Sequence, residues 1–217
     1  MLVYKKSTIP LLKILDSIQS SLKKKICLRN TVKKKNTIAG ADVHYEDRRM
    51  RACVCVLEYP SCRLLEKVSA RGWVTFPYIS GYLCFREGPV ILKAISKLKT
   101  QPDCFIFDGN GILHPRNMGL ATFLGIALKK PAIGCAKTLL LGKHKKVAEK
   151  RGSFAWISHR NKVLGAVLRT KDNTNAVYVS VGWGITLKKA IEIVLKTSRY
   201  RIPESLRLAH TCSKVPI

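Results

Sequence analysis

Residues 37–45 read Thr-Ile-Ala-Gly-Ala-Asp-Val-His-Tyr, a short apolar run bounded by charged segments. That pattern predicts a buried strand, with Asp42 carried inside it. Working outward, Arg51-Ala-Cys-Val-Cys-Val-Leu-Glu-Tyr59 predicts a second strand and residues 63–74 contain a third, with Tyr59-Pro60-Ser61 as the turn between them. Three neighbouring strands with short connections imply an antiparallel meander. From Pro89 the period changes, because Val90, Ile91, Ala94, Ile95 and Leu98 fall on one helical stripe and Pro89 suits the first turn of that helix. Glu87 then stands just ahead of it. Cys104-Phe-Ile-Phe107 is a short apolar strand ending at Asp108 and the turn Gly109-Asn110-Gly111; a helix over about 117–128 and a strand over 132–136 follow. Strand alternating with helix reads as parallel crossovers. Further strands are expected in 154–157, 162–169 and 176–181, a helix over 187–198, and a final basic helix after Pro203. The expectation is an α/β fold: a mixed central sheet, its antiparallel three-stranded meander continuing into parallel βαβ units, flanked by helices. A basic helix (9–21) and connector occupy residues 1–36, and one domain spans 37–217.

Lys and Arg number 40 against 13 Asp and Glu, so the formal charge is 40 − 13 = +27 and the pI is about 10.1. Such a field attracts polyanions, and nucleic acid is the expected partner, since docking lysines and arginines releases its counterions. A membrane surface is disfavoured, because no amphipathic basic helix or lipidation motif is present. Single clusters such as Lys23-Lys24-Lys25 and Lys33-Lys34-Lys35 read as solvated surface. The apolar stretch 9–15 is broken by Pro10 and Lys13, so it makes no secretory signal; a soluble, cytoplasmic monomer is expected. The eight cysteines contain no CxxC pair, and the three closest, Cys53, Cys55 and Cys62, lack a neighbouring His at zinc-ligand spacing. Cys53 and Cys55 share a strand face, and the set reads as small buried hydrophobes of a reducing compartment.

Carboxylates are scarce, which makes their placement informative. Glu46, Asp47, Glu58, Glu66, Glu149 and Glu192 sit beside basic or polar residues, where solvated ion pairing explains them. Asp42 lies within an apolar strand, where an unpaired carboxylate costs several kcal/mol. Asp108 ends another, at the end where α/β proteins gather ligands. One such aspartate is as well explained by backbone amides. Two of them, with Glu87, suit a hard divalent ion if the strands carrying them are neighbours. In so basic a chain that set points to phosphodiester hydrolysis by a metal-activated water.

Four segments then fall into a known order. Pro77-Tyr-Ile-Ser-Gly-Tyr-Leu-Cys-Phe-Arg-Glu87 is similar to PYIPGxLxFRE, and Asp108-Gly-Asn-Gly-Ile-Leu-His-Pro-Arg116 to DGxGxxHPR. Ile133-Gly-Cys-Ala-Lys137 is similar to IGVAK, and Ile38-Ala-Gly-Ala-Asp42 to VAGVD. With Val179-Ser-Val-Gly182 and Ser198-Arg-Tyr-Arg201, the resemblance to the endonuclease V family covers residues 37 to about 208. It implies a ribonuclease H-like fold and cleavage of DNA or RNA at the second phosphodiester bond 3′ to inosine or deoxyinosine, leaving 3′-hydroxyl and 5′-phosphate ends. By motif position, Asp42, Glu87 and Asp108 would hold Mg²⁺, with Mn²⁺ as a substitute. Lys137 would stabilise charge near the scissile phosphate or help position the water. Tyr78 would be the wedge that fills the gap left by an extruded base. Gly81, Leu83 and Gly109 would line a hypoxanthine pocket, which could exclude guanine by its 2-amino group. His114 would stand behind the metal ligands or near the phosphate, with a structural turn histidine as the competing reading.

Two departures bear on this. Ser80 replaces the second proline of PYIP, which loosens the wedge turn. Trp183-Gly184 follows Ser-Val-Gly where the family has His-Arg, so any role of that histidine near the metal is missing or supplied elsewhere. Two alternatives stay open at this stage: a nucleic-acid-binding protein of the same fold with weak or no catalysis, and a broader nuclease without lesion selectivity.

Overall fold

The structure, a computed structural model, describes residues 9–32 and 36–215; Lys33-Lys34-Lys35 lie outside them. The elements in chain order are α1 (Ile9–Lys23), β1 (Thr37–Glu46), β2 (Arg49–Glu58), β3 (Leu64–Trp73), α2 (Leu83–Ile95), β4 (Cys104–Phe107), α3 (Leu120–Leu128), β5 (Ala132–Ala136), β6 (Phe154–His159), β7 (Lys162–Leu168), β8 (Val177–Trp183), α4 (Leu187–Thr197) and α5 (Glu204–Ser213). One eight-stranded sheet has the order β3-β2-β1-β4-β5-β8-β7-β6. β1, β2 and β3 form the antiparallel meander, and β1, β4 and β5 run parallel. β8 then returns antiparallel to β5, with β7 and β6 beyond it.

Alternation along each strand feeds two apolar layers. Ala39, Ala41, Phe105 and Phe107 pack against Val90, Ile91 and Ala94 of α2 and Leu124 of α3. Ile38, Ile106 and Ile133 on the opposite face meet Ile191 and Val194 of α4 and Leu206 of α5. The central strands are covered on both sides, which is why they read as continuous apolar runs. Among the described residues no helix is long and apolar enough to cross a membrane.

Gly40 sets how closely α5 approaches the sheet. A Cβ built on it would lie 2.4 Å from the Ser205 carbonyl carbon and 2.6 Å from the Leu206 nitrogen, both backbone atoms. Gly40→Ala must therefore push α5 off β1. Overpacking of this kind costs about 1–3 kcal/mol, and we expect the denaturant midpoint to fall accordingly at unchanged slope; an unmoved midpoint would refute the contact.

Three expectations need correction. The helix expected to begin at Pro89 starts at Leu83, and Pro89 lies inside it. The apolar stripe beyond Pro89 hid the first turns, and Glu87 is consequently a helical residue. The helix expected from about 117 starts at Leu120, behind a Gly119 N-cap. Cys53 and Cys55 do share the β2 face turned to α5, but Cys53 is bonded to Cys212, with Cα atoms 5.9 Å apart. A separation of 159 residues conceals that pairing from spacing rules. Cys55, Cys62, Cys84, Cys104 and Cys135 are free and buried, as small hydrophobes should be.

Candidate active site

The parallel register of β1 and β4 pairs Ala41 with Phe107, so Asp42 and Asp108 occupy the next positions side by side. Neighbouring strands stand about 4.8 Å apart. Both side chains point to the α5 side, on the parity of Gly40 and Ile106. Asp42 is 9 % exposed and accepts hydrogen bonds from Ser213 Oγ (2.7 Å) and from His210 Nδ1 (3.2 Å). Both donors belong to α5, three residues apart and so on one face of that helix. Glu87 arrives from α2 on the other side of the sheet. Its Oε1 accepts from Tyr45 Oη at 2.9 Å, while Arg86 Nε donates to the same phenol oxygen at 3.1 Å and stacks over its ring. Asp108 accepts from Lys137 Nζ at 2.5 Å.

The electrostatics couple the three acids. Burial pushes the Glu87 carboxyl up to about 7; the hydrogen bond from Tyr45 opposes this, and the charges of Asp42 and Asp108 add to it. Burial also raises Asp108, against the hydrogen bond and charge of Lys137. For Lys137, burial disfavours the ammonium, but Asp108 outweighs it and leaves the lysine above its ordinary value. A cationic side chain is thereby held beside a carboxylate trio. The acids do not close round one point: among the described residues, no three His, Cys, Asp or Glu side chains stand at ion-holding geometry. Each instead turns to a proton donor of its own, as like charges in a poorly solvated place will.

Tyr78, Gly81, Leu83, Asp108, Gly109, His114 and Lys137 line one cleft of about 440 Å³. Asp42 and Glu87 lie outside its lining and reach it through their coupling to Asp108. Tyr78 is 64 % exposed at the mouth. Gly81 has φ +84, a conformation that glycine adopts without strain. Its carbonyl is held by Gln19 Nε2 (3.2 Å), His114 Nε2 (3.1 Å) and Arg116 Nη2 (2.8 Å). The donors on Gln19 and Arg116 hold the turn that follows Tyr78 where the proline of PYIP is lacking. Gln19 and Leu15 bring α1 against this turn, so the basic N-terminal segment braces the cleft.

His114 has both ring nitrogens engaged, because Nδ1 accepts from the Arg116 amide at 3.2 Å. Burial, then the charge of Arg116, lowers its pKa to about 4. A histidine depressed in the folded state contributes stability that is complete above about pH 6.5 and is lost as pH falls through about 4. The full swing is about 3 kcal/mol. Glu87 titrates in the opposite sense, so the measurable quantity is a difference: the stability gap between wild type and His114→Gln should shrink from pH 7 to pH 4. A gap independent of pH would remove His114 from this account.

Sequence reasoning missed Tyr45, Arg86, His210 and Ser213. The buried Asp42 demanded a donor, and His210 with Ser213 on one helical face was the available signal. Trp183-Gly184 turns out to be remote: Trp183 pairs with Ala132, at the opposite end of β5 from Lys137. Its Nε1 donates to Lys25 O at 2.9 Å, and Gly184 exchanges hydrogen bonds with Cys27 and Thr31, which fastens the connector after α1. The histidine beside the acids comes from α5.

Comparison with known proteins agrees with this geometry. The family profile described as Endonuclease V matches residues 20–211. The endonuclease V of Dictyoglomus turgidum is 46 % identical over 198 residues, 91 % of this chain and 87 % of its own. The crystal structure of Endonuclease_V from Bacillus subtilis superposes with a TM-score of 0.87 at 34 % identity, covering 97 % of this chain and 92 % of that one. Endonuclease V of Ciona intestinalis, in complex with a 24mer DNA containing an inosine followed by a ribo-adenosine, superposes with a TM-score of 0.85 at 26 % identity, covering 95 % and 97 %. A ribonuclease H-like sheet, three of the motifs lining one cleft with Asp42 of the fourth coupled to it through Asp108, and relatives spanning nine-tenths of the sequence place the chain in the endonuclease V family.

Proposed function

We propose that this protein nicks a nucleic-acid strand at the second phosphodiester bond 3′ to inosine or deoxyinosine, leaving 3′-hydroxyl and 5′-phosphate ends, with Mg²⁺ or Mn²⁺ held by Asp42, Glu87 and Asp108. The observation that carries this reading is the coupling of three acids from three separate elements at one end of the sheet, beside a cleft with glycine at its wall. The residues fit a divalent cation: the donors are carboxylate oxygens, they are mutually repulsive, and burial makes their combined charge costly without a counter-ion. When bound, such a cation polarises the phosphate and activates water.

The side chains supply the rest. Ser213 and His210 hold Asp42 in orientation, and Tyr45 with Arg86 does so for Glu87. Lys137 keeps a positive charge where negative charge develops on the phosphate. Gly81, Leu83 and Gly109 present backbone to an extruded base, and the missing side chain of Gly81 lets Arg116 and His114 close on that wall. Tyr78, exposed at the mouth, is placed to stack into the gap that the base leaves. His114 serves the base pocket through Gly81, whose carbonyl it positions.

Incubation with Mg²⁺ and matched DNA and RNA strands carrying one inosine should give a single nick, displaced one nucleotide to the 3′ side of the lesion. Equal cutting of inosine-free strands would make the protein an unselective nuclease. Steeply salt-dependent binding with no divalent-dependent cutting would make it a binding protein.

A further inference from the structure

The edge strand β6 carries two large aromatic side chains that the apolar layers leave partly uncovered: Phe154 is 46 % and Trp156 39 % exposed. Their rings stand 5.0 Å apart at 71°. Solvent-exposed aromatics at a sheet edge invite association, and natural edges are usually blunted by charge. Here the charge has one sign. Over residues 137–170 there are nine Lys and Arg and a single acid, Glu149. Lys143, Lys145, Lys146, Arg160 and Lys162 are all exposed.

A run of depressions that share walls leads from the cleft to Trp156, whose ring meets that of Phe154. Leu139 and Leu140, which wall the cleft beside Asp108 and Lys137, also wall a second depression with Lys143 and Ser158. Lys143 and Ser158 in turn wall a third with Lys145 and Trp156. The isolated bridge between Lys143 and Ser158 fixes the basic segment against β6 at that point. The register gives the distance: Ala136 pairs with Tyr178, Tyr178 with Val167, and Val167 with Ala155. Three strand spacings separate the site from the aromatic pair, about 14 Å. That is about four nucleotides at 3.4 Å per stacked base.

We infer that Trp156 and Phe154, with Lys143 and Lys145, form a platform that holds the unpaired strand leaving the site, bases stacking on the rings and phosphates meeting the lysines. The inference rests on the reading of the cleft as a strand-cutting site. An aromatic face accepts any base, so the platform adds length-dependent affinity without adding sequence preference. Duplex offers no free base face, so the gain belongs to single-stranded arms.

The test uses catalytically silent conditions, with Ca²⁺ in place of Mg²⁺, and inosine strands whose arms are three or twelve nucleotides long on either side. The unmodified protein should bind a long-armed strand about tenfold more tightly than a short-armed one, and Trp156→Ala or Phe154→Ala should bring that ratio close to one. In Trp73→Phe/Trp183→Phe, where Trp156 is the remaining indole, long arms should quench the fluorescence and short arms should not. A ratio that Trp156→Ala leaves unchanged, or quenching that is independent of arm length, overturns the platform. So does self-association lost in Trp156→Ala with no effect on strand binding, which would assign the patch to a second copy. Nicking of the short-armed inosine strand by unmodified protein in Mg²⁺ is scored separately: its absence defeats the proposed activity, while the arm-length ratio still judges the platform.

Discussion

Alanine at Asp42 or at Asp108 should lower the rate of inosine-directed nicking at least about a thousandfold, with strand binding retained. Cation-assisted stabilisation of a phosphoryl transition state amounts to several kcal/mol, and 4 kcal/mol corresponds to about three decades in rate. On the proposed reading either acid is one of three groups sharing that task, and two remaining carboxylates would leave the ion loosely placed. The structure separates loss of chemistry from loss of fold. Asp42 is the acceptor for Ser213 and His210, so Asp42→Asn keeps an oxygen for Ser213 while removing the charge. It should nick as poorly as Asp42→Ala and unfold close to wild type. Asp108→Asn should additionally weaken the hold on Lys137 and relieve Glu87 of a neighbouring charge, lowering the Glu87 pKa from about 7. Single-turnover nicking and a metal-dependent thermal shift read the two effects independently. Cutting at wild-type rate in either alanine variant would sink the carboxylate assignment.

How much of this could be read beforehand depended on whether the determining contact was local. The runs at 37–45, 51–59, 104–107 and 132–136 declared themselves because strands buried on both faces cannot hide their apolarity, and each lies within a residue or two of its expected place. Asp42 and Asp108 were legible for the same reason, as charges in apolar surroundings. Leu83–Gly88 was not, since the helical stripe becomes continuous only beyond Pro89, and glycine, proline and the Tyr82 N-cap blur its start. The final helix was visible as a helix but silent about its task. His210 and Ser213 acquire meaning only when Gly40 lets α5 settle against β1, and Cys212 only when the same approach brings it to Cys53. Trp183-Gly184 marked a missing histidine without saying where its replacement stands: the antiparallel return of β8 carries that dipeptide to the end of the sheet away from Lys137, and the histidine beside the acids is His210 of α5.

Lys137→Ala should lower the nicking rate about 10²–10³-fold, the usual loss for one preorganised donor aimed at developing charge, and should at the same time tighten divalent-ion binding. The two effects have one cause. Lys137 Nζ sits on Asp108 at 2.5 Å, so an ion entering the site competes with the ammonium for that carboxylate. Removing the lysine frees the ligand, lowers the cost of collecting three acids round one ion, and deprives the phosphate of a positive charge that the ion does not replace. Lys137→Arg should restore part of the rate, because charge is kept while the reach and the compact ammonium are not. Mn²⁺ titration followed by calorimetry should therefore give a smaller Kd for Lys137→Ala than for wild type, while single-turnover nicking stays slow at every Mg²⁺ concentration. Recovery of the full rate at high Mg²⁺ would mean that Lys137 only occupies the metal's place in the empty site, and its assignment to the scissile phosphate would have to be withdrawn.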